Sequence, residues 1–145
     1  MVSCFDVADY FLVLQDEDAG DSISNLKLQK LVYFSQGFHL AICDKPLFGE
    51  QIRAWLHGPV IPVLWKKYSD FDSNSLPLPD TFEQSKFSDE AIELLDEIYE
   101  VFGQFSAWKL RDISHIQPPW KKTKRNGVIT HRAMKEYFKT QLKEK

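Results

Sequence analysis

The sequence predicts a mainly α-helical, single compact domain of about six helices, with a short β-strand pair near residues 51–57 and 126–130. Three observations predict this class. Apolar residues recur at helical spacing along most of the chain. Serine or threonine precedes several of these runs, where helix N-caps are preferred. With 145 residues, of which 43% are hydrophobic, the chain can bury one core without disulfides, so residues 1–145 are assigned to one domain.

The first helix begins at "SCFD", residues 3–6, which has the Ser-x-x-acid form of a helix start. Apolar residues follow at helical spacing to about Gln15. Residues 16–22, "DEDAGDS", are polar and acidic, which predicts a loop.

A second helix runs from Ser22 or Ser24 to about Cys43. It is apolar nearly all round, which is typical of a central helix, and its polar residues form a narrow stripe of Asn25, Gln29 and Gln36. If buried, these amides need hydrogen-bond partners, for which neighbouring backbone is the simplest source. Gly37 indicates either a close helix crossing or a contact with an incoming chain.

The next segment, "QIRAWLH" at residues 51–57, alternates in polarity and predicts a short strand. "HGPV" ends it, and Pro62 fits the first turn of the helix that follows. Residues 70–87 predict a long loop. Helices are then expected over residues 88–103, 106–115 and 130–142, with a basic turn and a helical start at Pro119 before the last of them.

No pattern in the sequence indicates an enzyme. Cys4 and Cys43 form no CxxC, and His39 with Cys43 would supply only two metal ligands. The chain contains no Gly-x-Ser-x-Gly and no glycine-rich phosphate loop. We therefore predict no catalytic residue, no metal and no cofactor. The acidic N-terminus and the lack of a long apolar run predict a cytoplasmic protein that does not enter a membrane.

The charge is unevenly distributed. Residues 1–100 carry 18 acidic and 7 basic residues, a net charge of −11, whereas residues 101–145 carry 3 and 11, a net charge of +8. Either an acidic helix and a basic tail neutralise each other, or the basic end binds an acidic partner or phosphates. The run "KKTKR", Lys121–Arg125, beside Trp120 raises a nucleic-acid hypothesis, although no helix-turn-helix pattern surrounds it.

Trp55 and His57 lie on the strand face opposite the apolar Ile52, Ala54 and Leu56. If the apolar face meets the core, Trp55 and His57 face outward or into a groove, where aromatic residues are typical interface anchors. The alternative for Trp55 is burial under another helix. Gly58 and Pro59 most simply fix the turn that follows.

Three motifs in this order resemble the Panacea-domain family of SocA-like antitoxins: "LKLQKLVYFSQGFHL", "PLFGEQIRAWLHGPVIPVLWKKY" and "LRDISHIQPPWKKTK", followed by "ITHRAMKEYF". The resemblance covers nearly the whole chain. It implies a mostly helical, non-enzymatic domain that neutralises a toxin encoded beside it by direct protein contact. A second mechanism that it allows is an adaptor that delivers the toxin to an ATP-dependent protease.

The resemblance also supplies most of the predicted partner-binding residues, to which the strand pattern adds His57. The set is Lys27, Gln29, Lys30, Tyr33, Trp55, His57, His115 and Trp120, with Gly58 and Pro59 as structural residues. Lys27, Gln29 and Lys30 are expected to be exposed. The predicted partner is therefore a cognate protein toxin, and nucleic acid is the minor alternative.

Overall fold

The structure is a computed structural model that describes residues 1–15 and 22–142. Within these ranges the chain forms seven α-helices and two β-strands, which confirms the mainly α class. The helices are α1 (Cys4–Leu14), α2 (Asn25–Cys43), α3 (Pro62–Lys67), α4 (Asp89–Phe102), α5 (Ala107–His115), α6 (Pro118–Lys121) and α7 (His131–Lys139), and the strands are β1 (Arg53–Trp55) and β2 (Gly58–Val60). All but Ser22 of the predicted acidic loop lies outside the described residues.

The helix starts follow the capping residues of the sequence. Ser3 and Asp6 form a reciprocal capping box at α1, as the Ser-x-x-acid pattern predicts. In each of four later helices the N-cap side chain accepts a hydrogen bond from the backbone N–H three residues on, and these caps are Ser24, Ser88, Ser106 and Thr130. The helix ends were predicted less well, since α7 ends at Lys139 rather than near Leu142.

The predicted strand forms, but its main partner is a segment expected to be a turn. β1 pairs antiparallel with β2, with Trp55 opposite Gly58, so only Leu56 and His57 separate the two strands. Residues 126–130 also pair with β1, as predicted, through a bridge between Arg53 and Val128. The hairpin was missed because Pro59 and a glycine with a φ of +107° are typical of turns rather than strands.

Helix α2 is the centre of the fold, as its apolar composition predicts. It contacts α1, α3, α4, α5, α7 and β2. Its apolar residues between Leu28 and Phe34 are fully buried. Consequently its polar residues also enter the interior, and their partners decide how the surrounding segments are placed.

Gly37 marks a close helix crossing, the first of the two alternatives for this position. A Cβ atom there would overlap the Phe138 ring of α7. That ring cannot easily move, because it is 1% exposed and packs edge-on against Tyr33 and Phe38. Packing in such an interior leaves little free volume.

We therefore expect Gly37→Ala to destabilise the fold, although alanine is the better helix former. Overpacking costs about 1–3 kcal/mol, which exceeds the gain of about 1 kcal/mol in helix propensity. The free energy of unfolding from urea denaturation measures the effect. Gly37→Ala combined with Phe138→Leu should recover part of the loss, and an unchanged or raised stability of the single variant would contradict the crossing.

Candidate functional site

The expected exposure of three α2 residues is wrong. The exposed fractions of Lys27, Gln29 and Lys30 are 8%, 0% and 0%. Their polar ends meet the backbone of other segments: Lys27 Nζ donates to Gly103 O at 2.6 Å and Lys30 Nζ to Pro59 O at 3.1 Å. A central helix has no solvent-facing side for them, so any part they play in binding is indirect.

The amide side chains of α2 bond to neighbouring backbone, as the simplest interpretation of the polar stripe predicts. Gln29 Oε1 accepts from Ile61 N at 2.9 Å, at the start of α3. Gln36 accepts from Leu47 N at 2.7 Å and donates to Phe48 O at 2.7 Å. These bonds hold two irregular segments against the helix, and neither amide is available to a partner.

Tyr33 is also buried and serves the interior. Its hydroxyl donates to Gln117 Oε1 at 2.9 Å, and burial raises the pKa of Tyr33 well above its ordinary value. Gln117 lies directly before α6. Tyr33 therefore anchors the segment that carries Trp120 rather than facing solvent.

Lys30 lies directly beneath the β1–β2 hairpin. The absent Cβ of Gly58 makes room for it, because a Cβ there would come within 2.8 Å of both Lys30 Cε and Ser114 Oγ. Burial, followed by the nearby Arg111 guanidinium, lowers the pKa of Lys30 to about 7. The hairpin thus rests on a buried amine held by the Pro59 carbonyl, and Gly58 and Pro59 lie in strand β2 rather than in the turn that was predicted for them.

The tip of the hairpin meets α5 in an exposed cluster. The His57 ring packs edge-on against Trp108, with 5.4 Å between centroids. Arg111 Nε donates to His57 Nδ1 at 3.2 Å, and the Arg111 guanidinium lies 5.0 Å from the centre of the Trp108 ring. Trp108 is 57% exposed and Leu56, beside His57, is 55% exposed. We call Leu56, His57, Trp108 and Arg111 the aromatic patch.

Three further predicted residues lie behind the aromatic patch and support it. Trp120 Nε1 donates to Trp55 O at 2.8 Å, and the His115 and Trp120 rings stack at 4.0 Å. Trp55 Nε1 donates to Asn126 Oδ1 at 3.1 Å. All three are only partly exposed. The structure therefore brings Trp55, His57, His115 and Trp120 together, as one surface would require, and places the buried Lys30 and Tyr33 beneath them.

The surroundings of His115 are electropositive. Burial, then the charges of Arg111 and Lys30, lower the pKa of His115. Lys30 is buried, so of these two charges only that of Arg111 reaches the surface, where it forms an ion pair with the exposed Asp112 at 3.1 Å.

Sequence reasoning missed Trp108 and Arg111, which are the most prominent residues of the aromatic patch. A signal was present: they lie three residues apart in "SAWKLRDISH" and therefore on one face of α5. The buried face of α5 carries Leu110 and Ser114 instead, so an exposed tryptophan on the other face has no role in the core. What the sequence lacks is any indication that His57 would lie against this face.

The basic segment, Lys121–Arg125, continues from the support of the aromatic patch. Its four cationic residues are exposed, and the turn is fixed by Asn126, whose backbone N donates to Ala54 O at 2.7 Å. None of the four ion pairs within the described residues joins this segment to the acidic helix α4. Direct neutralisation between this segment and α4 has no support there, whereas another part of the basic tail does pair with the acidic part of the chain, since Lys135 forms an ion pair with Asp44.

Neither a metal centre nor a membrane helix is found among the described residues. No group of three metal-ligating side chains occurs there, and His39 Nδ1 donates to Lys45 O at 2.7 Å instead of facing Cys43 as a metal ligand. The two cysteines are free. None of the helices in residues 1–15 and 22–142 combines the length and the apolar character needed to cross a bilayer.

Comparison with known proteins gives a family match over more than half of the chain. The sequence profile described as "Antitoxin SocA-like, Panacea domain" matches residues 28–121, from the central helix to the basic segment. The chain belongs to this family. The match thus includes the hairpin, α5 and α6, which together form the aromatic patch and its support, and it ends before α7.

One curated relative is Antitoxin SocA of Caulobacter vibrioides (strain NA1000 / CB15N), which is 47% identical over 47 residues. The alignment covers 32% of this chain and 25% of that relative, so the Panacea-domain chain matches about a quarter of the relative's length. No solved structure gives a significant match to the chain.

The buried amine of Lys30 predicts a pH dependence of stability. Its folded pKa of about 7 lies below its unfolded value of 10.5, so the unfolded state binds more protons between these values and stability rises with pH. We compare wild type with Lys30→Met by urea unfolding at pH 7 and pH 9. The free energy of unfolding of the wild type, relative to that of Lys30→Met, should be higher at pH 9 than at pH 7. The limiting slope of this increase is about 1.4 kcal/mol per pH unit. Equal differences at both pH values would show that Lys30 keeps an ordinary pKa.

Proposed function

We propose that this protein is an antitoxin that neutralises its cognate toxin by binding it directly through the aromatic patch. Membership of the SocA-like antitoxin family supports the role. The exposed cluster of His57, Trp108 and Arg111 is the observation that carries the binding mode. The mechanism is stoichiometric occlusion of the toxin, without turnover or cofactor.

The aromatic patch has the properties of an interface anchor. Tryptophan and arginine are enriched among residues that dominate binding energies. Here Arg111 is held by His57 and by the Trp108 ring before any partner arrives, so little side-chain freedom is lost on binding. The exposed Leu56 adds apolar area beside them. A rigid, partly apolar surface of this kind offers a protein partner apolar area to bury and fixed polar groups that set the partner's orientation.

The predicted partner-binding residues divide into two roles under this proposal. His57 contacts the toxin, with Trp55, His115 and Trp120 at the inner side of the interface. Lys27, Gln29, Lys30 and Tyr33 act only by positioning, since their polar atoms bond to the fold. Changes at these four should therefore alter stability first and neutralisation as a consequence.

The adaptor mechanism, in which an ATP-dependent protease degrades the delivered toxin, differs from occlusion in stoichiometry. An occluding antitoxin must be present in at least the same molar amount as the toxin. An adaptor acts at a smaller molar amount and needs the protease. Growth rescue titrated against antitoxin level, with and without the protease, separates the two.

Trp108→Ala should abolish or strongly reduce neutralisation while leaving the fold intact, because the side chain is mostly exposed. Loss of a central anchor costs about 2 kcal/mol or more, so toxin affinity should fall at least about 30-fold. We measure affinity by calorimetry and rescue by growth, after co-expression with the product of the neighbouring reading frame. Leu78→Ala is the matched control, since Leu78 is 61% exposed in the loop before α4.

If Trp108→Ala melts like wild type and still binds and neutralises the toxin normally, the aromatic patch is not the interface. If both variants weaken binding equally, the effect belongs to general surface hydrophobicity and not to Trp108.

A further inference from the structure

Two exposed parts of the described residues each carry charge of a single sign. The basic segment places Lys121, Lys122, Lys124 and Arg125 in one exposed turn. Helix α4 has its own exposed face of like charge, formed by Asp89, Glu90, Glu93, Asp96, Glu97 and Glu100. As noted above, no ion pair within the described ranges links the two. The basic segment is therefore left with its charge uncompensated by this helix.

The basic segment is fixed next to the aromatic patch rather than attached loosely. Ala54 N donates to Gly127 O at 3.0 Å, and Arg53 Nη1 donates to Asn126 O at 2.9 Å, so the end of the segment is bonded to β1. At its start, Trp120 bonds to Trp55 O. The hairpin thus holds both ends of the segment, and a partner seated on the aromatic patch would come close to it.

We propose that the toxin presents an acidic surface that pairs with the basic segment and steers the toxin onto the aromatic patch. This inference rests on the proposed function. It adds the charge of the partner's surface and assigns the association and dissociation rates to different parts of the interface. Exposed charges at the rim of an interface accelerate encounter, whereas desolvated anchors slow dissociation. The basic segment accordingly governs the association rate, and the aromatic patch governs the dissociation rate.

Two features favour an acidic protein over a nucleic acid as the occupant. The tryptophans beside the segment offer little ring surface for base stacking, since both are only partly exposed, one face of Trp120 is covered by His115 and Trp55 packs edge-on against Trp65 at 6.3 Å. The chain also carries a net charge of −3, and the acidic face of α4 would repel a long polyanion. A compact acidic surface on a folded toxin avoids that repulsion.

The test is a stopped-flow measurement of association and dissociation rates with the purified toxin at several salt concentrations. The variant is Lys122→Glu with Lys124→Glu. The matched control is Lys45→Glu with Lys139→Glu, which makes the same change in net charge at two exposed lysines outside the segment. Circular dichroism and melting curves confirm that both are folded, and Lys122→Gln with Lys124→Gln provides a milder second variant.

At low salt we expect the Lys122/Lys124 charge reversal to slow association by about tenfold or more and to flatten its salt dependence, with dissociation changed by less than about twofold. The control should remain within about threefold of wild type. The glutamine variant should fall between wild type and the charge reversal.

Equal slowing by both double variants would overturn the inference, because net charge alone would then explain the rates. An unchanged association rate in the Lys122/Lys124 variant would overturn it too, while leaving direct toxin binding intact. Failure of wild type to bind the toxin would instead overturn the proposed function itself. Binding of a duplex DNA or single-stranded RNA oligonucleotide at physiological salt, lost in the variant, would assign the segment to nucleic acid.

Discussion

The fold depends on one constraint: a helix buried on all sides must find partners for every polar side chain it carries. In α2 many of those partners are backbone groups of the surrounding segments, and the Tyr33 hydroxyl bonds to the Gln117 side chain. Gln29 fixes the start of α3 at Ile61, and Gln36 fixes the turn at Leu47 and Phe48. An unmet buried amide costs about 1–3 kcal/mol, so each bond both avoids that loss and determines where a connecting segment lies. Helix α2 therefore acts as a scaffold that fixes the positions of the irregular segments around it.

The candidate site depends on this scaffolding role of α2. Lys30 reaches Pro59 O under the hairpin, and Gly58 leaves the space that its side chain needs. With the hairpin fixed in this way, its tip meets α5, where His57 and Arg111 form a hydrogen bond. The exposed aromatic patch therefore depends on buried residues, Lys30 and Gly58, which fix the hairpin in place. The buried residues of α2, together with Gly58 and Pro59, build the scaffold, and the tip of the hairpin and α5 form the surface.

This division explains what sequence could and could not predict. Local signals were sufficient for helix starts, for the strand at β1 and for the central place of α2, since capping and periodicity are properties of neighbouring residues. Lys27, Gln29 and Lys30 were misjudged because polarity predicts exposure only when solvent is within reach, and on α2 it is not. Trp108 was missed because its importance comes from His57, 51 residues away in sequence. The hairpin was missed because the Gly-Pro pair at its second strand is typical of a turn.

The most direct test of the account is hydroxyl-radical footprinting of the protein alone and in complex with the proposed toxin. This method reports side-chain exposure residue by residue and needs no substitution. We predict that Leu56 and Trp108 lose reactivity in the complex, while the exposed Val13, Val63 and Leu78 keep theirs. Protection centred on α1 or α4, with Trp108 as reactive as in the free protein, would contradict the claim that the aromatic patch is the surface that binds the toxin.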